Sequence, residues 1–153
     1  MLYVQYIEKK TISNMNSNWI YYGVFFDDDT KQKIYKHAKN LCYKHGIQFP
    51  EDWQFYCDHM TLVFNNGNPE EQTLADFYET MLGEEETLRC IGFGVSNKVF
   101  ALWIDFTTNN KHSHVTVVVG PNGKPVDSNY ITNWIKDSGK NLEIKGTYKK
   151  ISK

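Results

Sequence analysis

One short pattern occurs twice in the sequence: a histidine and a threonine separated by a single residue and followed by apolar, β-prone residues. The two copies are HMTLVF at positions 59–64 and HVTVVV at positions 114–119. Successive side chains of a strand point to opposite faces, so each histidine shares a face with its threonine. The pattern therefore predicts two half-buried strands, each with a polar pair on one face, and the fold has to contain a sheet.

The remaining segments predict a mixed α+β fold. Apolar, β-prone runs typical of strands occupy positions 19–26, 86–95, 98–106 and 141–151. Helix-start residues, helically spaced apolar residues and a closing glycine predict three helices. They begin at Asp27–Thr30, Pro69 and Ser128, and they end near Gly46, Gly83 and Gly139. Each half of the chain then contains an apolar strand, a His-x-Thr strand and a following helix, which is a weak internal repeat.

Length and charge limit the number of domains and the kinds of partner. A chain of 153 residues predicts a single domain over 1–153, with residues 1–16 as an N-terminal extension or an extra strand. The formal net charge is −1 and Arg89 is the single arginine. We therefore expect no duplex nucleic acid as a partner, whereas a small nucleotide needs only a local site. We also expect a monomer.

Cysteine content and hydropathy bear on the compartment. The three cysteines are Cys42, Cys57 and Cys90, and this odd number at wide spacing predicts packing residues in a reducing environment rather than a disulfide framework. The first ten residues lack the apolar run of a signal peptide. No stretch reaches the roughly 20 apolar residues of a membrane helix. The expectation is a cytoplasmic protein with no membrane partner.

The residue types of the repeated pattern suit phosphodiester chemistry. Histidine titrates near neutral pH, so one of His59 and His114 can accept a proton while the other donates one. The hydroxyls of Thr61 and Thr116 can donate hydrogen bonds to the phosphate oxygens that carry negative charge in the transition state. This scheme requires no cofactor and no metal.

The two segments HMTLVF and HVTVVV resemble the paired signatures of the 2H phosphoesterase (LigT-like) superfamily. The strand WIYYGVFF at 19–26, followed by a helix, resembles the opening strand of that family, and KPVDSN at 124–129 resembles its tRNA-ligase-type branch. The resemblance covers roughly residues 19–150. It implies a bilobal fold of two antiparallel β-sheets lining a central cleft, with helices outside. It also implies that His59 and His114 are catalytic and that Thr61 and Thr116 bind phosphate.

A metal site is the first alternative interpretation of the same residues. The stretches CDH at 57–59 and HSH at 112–114 place ligand types at alternating strand positions, where two side chains can share one ion. No closed set of four ligands is present at standard spacing, so a role without metal is preferred. In that interpretation His112 is a solvent-facing or cleft-rim side chain.

Aromatic and basic residues near the pattern are candidates for further contacts. The candidates for stacking on a nucleobase are Tyr21 or Tyr22, Trp53, Phe55 and Trp103. Tyr22 on the opening strand and Trp53 before the first motif are the first choices, although core packing is the more frequent role of each such ring. Lys124, in the loop after the second motif, is a candidate for phosphate binding. The acidic run Asp27–Asp29 is explained more simply by the helix dipole than by a metal.

Together these features predict a metal-independent phosphodiesterase that cleaves a 2′,3′-cyclic phosphate or a small cyclic or 2′,5′-linked oligonucleotide. Two settings fit equally well: RNA end processing, and a viral enzyme that degrades an immune nucleotide signal. The alternative is a catalytically inactive module that binds and sequesters nucleotides. Both copies of the motif are intact, which favours the enzyme.

Overall fold

A computed structural model of the chain describes residues 18–153. The predicted N-terminal extension or extra strand, residues 1–16, lies outside these described residues. The described part contains eight strands, two α-helices and one 3₁₀ helix, so the mixed α+β class is confirmed. The strands are β1 Trp19–Phe25, β2 Gln54–Phe55, β3 His59–Phe64, β4 Glu85–Val95, β5 Val99–Ile104, β6 His114–Val119, β7 Trp134–Lys136 and β8 Glu143–Ser152. The helices are α1 Asp28–Lys44, α2 Pro69–Glu79 and the 3₁₀ helix Pro125–Tyr130.

The strand pairings are antiparallel and form a closed ring. Six strands follow one another in the order β6, β3, β1, β8, β4 and β5, and β5 pairs again with β6. The short strand β2 adds to β6, and β7 adds to β4. The family resemblance implied two sheets, whereas hydrogen bonds join all of the described strands into one sheet. The connection between β3 and β6 is narrow, because Met60 and Val115 form the one register pair between them.

The first helix follows the sequence prediction closely. The Asp27 side chain caps it by accepting a hydrogen bond from the Thr30 N–H at 2.8 Å. After the C-cap His45, Gly46 has a φ of +69°, the left-handed conformation that ends many helices. The helix packs on the sheet through the four residues that the helical spacing singled out, and all four are buried: Ile34, Ala38, Leu41 and Cys42.

The second and third predicted helices differ from the structure. α2 begins at Pro69 as expected, but it ends at Glu79, and Gly83 lies in the turn beyond it with a φ of +85°. Its buried face is narrow, and Phe77 on the other side is 58% exposed. The segment after Ser128 is not an α-helix, because Trp134 and Ile135 pair with the edge of β4. Aromatic and β-branched side chains suit that sheet edge.

The core confirms the face assignment of the two His-x-Thr strands. Met60, Leu62, Val115 and Val117 are fully buried, whereas the histidine and threonine of each strand are half-buried.

The three cysteines are free and buried, which confirms their packing role, and burial raises the pKa of the Cys42 thiol to about 11. No helix within residues 18–153 is long and apolar enough to cross a membrane.

Candidate active site

The two His-x-Thr strands bring their polar faces into one cleft. The strands run antiparallel and meet at Met60 and Val115, so the histidine of each strand lies toward the threonine of the other. A cleft of about 910 Å³ is lined by all four of the predicted site residues, His59, Thr61, His114 and Thr116. The structure therefore brings together the residues that strand alternation placed on equivalent faces.

His59 is held by hydrogen bonds on both ring nitrogens. Its Nδ1 lies 3.0 Å from Oδ2 of Asp58, and its Nε2 lies 3.1 Å from Oγ1 of Thr61. A carboxylate can only accept a hydrogen bond, so Nδ1 carries the proton and Nε2 of the neutral ring accepts from the threonine hydroxyl. The nitrogen that faces Thr61 is therefore the one available to accept a proton in the cleft.

Aromatic rings enclose the His59 imidazole on the β1 side. The ring of Tyr21 is stacked on it at 5.0 Å between centroids, and the ring of Phe25 at 4.8 Å. Gly23 lies between these rings on the same strand, opposite Thr61, and a Cβ there would come within 3.0 Å of the Met60 carbonyl oxygen. This close approach of the backbones lets β1 carry the stacking rings up to the histidine.

Asp58 gives His59 a charged neighbour that sequence analysis did not assign to catalysis. Burial lowers the pKa of His59, while the hydrogen bond and the charge of Asp58 act in the opposite direction. Burial also disfavours the charged form of Asp58, but hydrogen bonds with His59 and Lys31 hold the pKa of this carboxyl below its ordinary value. Nζ of Lys31 lies 3.2 Å from Oδ1 of Asp58. The carboxylate is therefore ionised and favours the protonated form of His59.

The backbone before β3 explains why Asp58 was overlooked. Strict alternation would point residue 58 away from the face of His59. The strand starts only at His59, however, and Cys57 adopts a φ of +54°, which is uncommon for a residue with a side chain. The N–H of Cys57 donates to the carbonyl of Thr116 at 2.9 Å. This turn ties the entry of β3 to β6 and brings the Asp58 carboxylate beside the imidazole.

His114 has a neutral neighbour where His59 has a charged one. Its Nδ1 lies 2.7 Å from the carbonyl oxygen of His112, so Nδ1 carries the proton and Nε2 is the free base of the neutral ring. Burial lowers the pKa of His114, the hydrogen bond to the His112 carbonyl opposes this, and positive charge on His59 or His112 lowers the pKa further. Of the two histidines in the cleft, His114 is therefore the one whose protonated, positively charged form is less stabilised by its neighbours.

Thr116 belongs to a small hydroxyl pair that includes a residue from the 3₁₀ helix. Its Oγ1 lies 2.8 Å from Oγ of Ser128, and Ser128 is 1% exposed. The sequence predicted Ser128 as a helix cap, so its contact with the second motif was missed. KPVDSN, the segment noted for its family resemblance, contains this serine, and that segment was the one local signal of its role.

The structure contradicts the prediction that Tyr22 and Trp53 stack on a base. Tyr22 is 2% exposed, and its hydroxyl donates to Glu79 on the opposite side of the strand at 2.5 Å. Trp53 packs against the core and lies over Gly120, where a Cβ would come within 2.9 Å of its ring. The rings that do line the cleft include Tyr21, the neighbour of Tyr22, and Phe55, two positions after Trp53.

The rest of the cleft wall is aromatic and amide-rich, with little charge. Lys31 is the one lysine among its lining residues, and Asp58 already neutralises it; Lys124 is not among them. Phe64 and Tyr130 are 47% and 74% exposed at the rim. The amide side chains in the wall are Asn66, Asn109, Asn110 and Asn129.

The side chains of the metal alternative do not converge. The Cys57 thiol is fully buried and contacts the Val117 carbonyl oxygen at 3.7 Å, and the His112 ring lies between two tryptophans. Across residues 18–153, no group of three or more histidine, cysteine or acidic side chains is arranged to hold a metal ion.

Comparison with known proteins assigns this chain to no family. No protein-family model matches the sequence. No curated protein is similar enough to it to count as a relative.

Proposed function

We propose that this protein is a metal-independent phosphodiesterase of the 2H phosphoesterase type. The observation that carries the proposal is the convergence of two His–Thr pairs, from segments far apart in the chain, on one cleft. Two histidines that each present one nitrogen to the same space are suited to general acid–base catalysis. The bilobal 2H fold belongs to the same proposal, and the narrow contact between β3 and β6 supports it.

The proposed reaction is an in-line substitution at phosphorus. The base histidine takes a proton from water or from a ribose 2′-hydroxyl, and the resulting oxygen nucleophile forms a new bond to phosphorus. The bond from phosphorus to the leaving oxygen breaks, and the acid histidine protonates that oxygen. Thr61 and Thr116 donate hydrogen bonds to the non-bridging oxygens, where charge is concentrated in the transition state.

The different neighbours of the two histidines support an assignment of roles. Asp58 favours the protonated form of His59, so His59 is the better general acid. His114 has only a carbonyl partner and is disfavoured as a cation by His59, so His114 is the better general base. The assignment holds for the hydrolytic direction, and microscopic reversibility exchanges the roles in the reverse direction.

The cleft wall favours a small nucleotide over a long polyanion. Each phosphate of a long strand needs cationic contacts, whereas the lining offers one lysine that is already paired. Exposed rings and amides suit the faces and edges of nucleobases. We therefore propose a 2′,3′-cyclic phosphate or a small cyclic or 2′,5′-linked oligonucleotide as substrate, in RNA end processing or in degradation of an immune nucleotide signal.

The test is a substrate panel incubated in EDTA, with products identified by mass spectrometry. It spans cyclic mononucleotides, cyclic dinucleotides and 2′,5′-oligoadenylates. We expect turnover by the wild type and a loss of at least about a hundredfold in His59→Ala and in His114→Ala. His37→Ala, at a histidine on α1 that is not among the cleft-lining residues, is the matched control. Binding of panel members without turnover would favour a sequestering module, and activity abolished by EDTA would favour a metal enzyme.

A further inference from the structure

A third histidine lies two residues before His114 and is not used by the proposed reaction. His112 precedes β6 by two residues and is half-buried, and it is not among the residues that line the cleft. Its imidazole is stacked on the ring of Trp134 at 4.8 Å between centroids, with an angle of 14° between the planes. The edge of the Trp103 ring meets it at 4.9 Å. We call these three residues the His112 cluster.

The His112 cluster is connected to the cleft through the backbone. The carbonyl oxygen of His112 is the acceptor for Nδ1 of His114, at 2.7 Å. Trp103 is the register partner of His114 across the pairing of β5 with β6. The orientation of this carbonyl, and with it the proton position on His114, therefore depends on where the packed His112 ring holds the backbone.

Trp134 is itself fixed in place from several directions. Its indole N–H donates to the Ile131 carbonyl at 3.0 Å, and its ring lies over Gly94, where a Cβ would come within 2.5 Å of it. Directly after β7, Asp137 accepts hydrogen bonds from Lys44 at 2.7 Å and from His45 at 3.0 Å. A strand of three residues would be weakly held by its pairing alone, and these contacts make it a rigid support.

From this arrangement we propose that His112 is a positioning residue for His114. The His112 ring, held against Trp134 and Trp103, sets the direction of the His112 carbonyl, and that carbonyl keeps the proton of neutral His114 on Nδ1 and the lone pair of Nε2 in the cleft. The catalytic consequence rests on the proposed function, whereas the proton position does not.

Charge gives His112 a second influence on the same residue. When His112 is protonated, its positive charge lowers the pKa of His114. The Lys111 ammonium in turn disfavours protonation of His112, in addition to the effect of burial. The other titratable group that acts on His114 is His59, whose positive charge also lowers the pKa of His114. The Trp134 ring is uncharged and lies 6.0 Å from the His114 ring between centroids. Replacement of His112 by an uncharged ring therefore separates packing from charge.

The experiment compares His112→Ala, which removes the ring, with His112→Phe, which keeps an aromatic ring but no charge. Nitrogen-15 NMR of the histidine side chains in the free protein reports the proton position. We expect the Nδ1–H form of neutral His114 in the wild type and in His112→Phe, and a mixture of both tautomers in His112→Ala. Lys111→Ala changes a neighbouring charge without removing the ring and serves as the control. An unchanged Nδ1–H form in His112→Ala would overturn the proposal.

Kinetics on an active substrate provide a second readout. We expect kcat of His112→Ala to fall by about tenfold, less than the loss for an acid–base residue, with KM unchanged because His112 does not line the cleft. In His112→Phe, kcat is largely retained, and the acidic limb of the pH–rate profile moves to higher pH because the His112 charge no longer lowers the pKa of His114. A KM effect alone would overturn the positioning role. Absence of wild-type turnover would count against the proposed function and leave the NMR result decisive for positioning.

Discussion

Nδ1 of His59 lies 3.0 Å from a carboxylate oxygen of Asp58, whereas Nδ1 of His114 lies 2.7 Å from a backbone carbonyl. Two histidines with the same sequence pattern thus have orienting partners of different charge. A carboxylate stabilises an imidazolium more strongly than a neutral carbonyl does. This difference is the physical basis for treating His59 as the acid and His114 as the base.

Replacement of Asp58 by Asn tests that difference. The amide still offers an oxygen to Nδ1 of His59 but removes the negative charge, so the pKa of His59 falls further below its ordinary value. We expect kcat at neutral pH to fall by about tenfold and the basic limb of the pH–rate profile to move to lower pH. Asp105→Asn, at an exposed acid paired with Arg89 outside the cleft, is the control. A shift of the acidic limb instead would reverse the assignment of roles.

Substitution of the cleft threonines by valine removes a hydroxyl while nearly conserving shape. We expect Thr61→Val and Thr116→Val each to lower kcat by about a hundredfold, the usual effect of losing one donor to a transition-state oxyanion. Thr87→Val, at an exposed position of β4, should leave kcat unchanged. Steady-state kinetics on the substrate found in the panel check this, and a change confined to KM would place the hydroxyls in ground-state binding only.

The adjacent tyrosines of β1 should respond in different assays. Tyr21 stacks on His59 in the cleft, so Tyr21→Ala should weaken binding and turnover. Tyr22→Phe removes the buried hydroxyl that donates to Glu79, so it should leave kcat unchanged and lower the free energy of unfolding by about 1 kcal/mol. Urea denaturation and kinetics on both variants check this. The reverse result would restore Tyr22 as the ligand contact.

The contacts of Asp137 with Lys44 and His45, directly after β7, should make the free energy of unfolding depend on pH in the acidic range. The hydrogen bond from Lys44 is the largest cause of a lowered pKa at Asp137, with a further contribution from His45. A carboxyl whose pKa is lowered by folding stabilises the fold above its unfolded pKa of about 3.9, and this contribution is lost as pH falls through the folded value. We expect Asp137→Asn to lower the urea midpoint at pH 7 and to flatten its decline below about pH 5. An equally steep decline in the variant would show that Asp137 is not its source.

Local periodicity was sufficient for much of the fold. The helical spacing of Ile34, Ala38, Leu41 and Cys42 predicted the buried face of α1, because all of the required information lies within one amphipathic segment. Strand alternation likewise predicted that Met60 and Val115 face the core and that their neighbours share the other side. The prediction of a helix after Ser128 was wrong because Trp134 and Ile135 pair with the open edge of β4 as a strand.

The sequence by itself determined which side chains carry the proposed chemistry, since the contrast of polar and apolar residues in HMTLVF and HVTVVV defines the face of each strand. Only the tertiary structure decided their partners. Tyr21 could not be distinguished from Tyr22 on a strand that is apolar on both faces, and Ser128 reaches Thr116 from a separate element. Asp58 reaches His59 through a turn at Cys57 that strand alternation does not anticipate. Periodicity encodes the face of an element, whereas contacts between elements depend on how the sheet brings distant segments together.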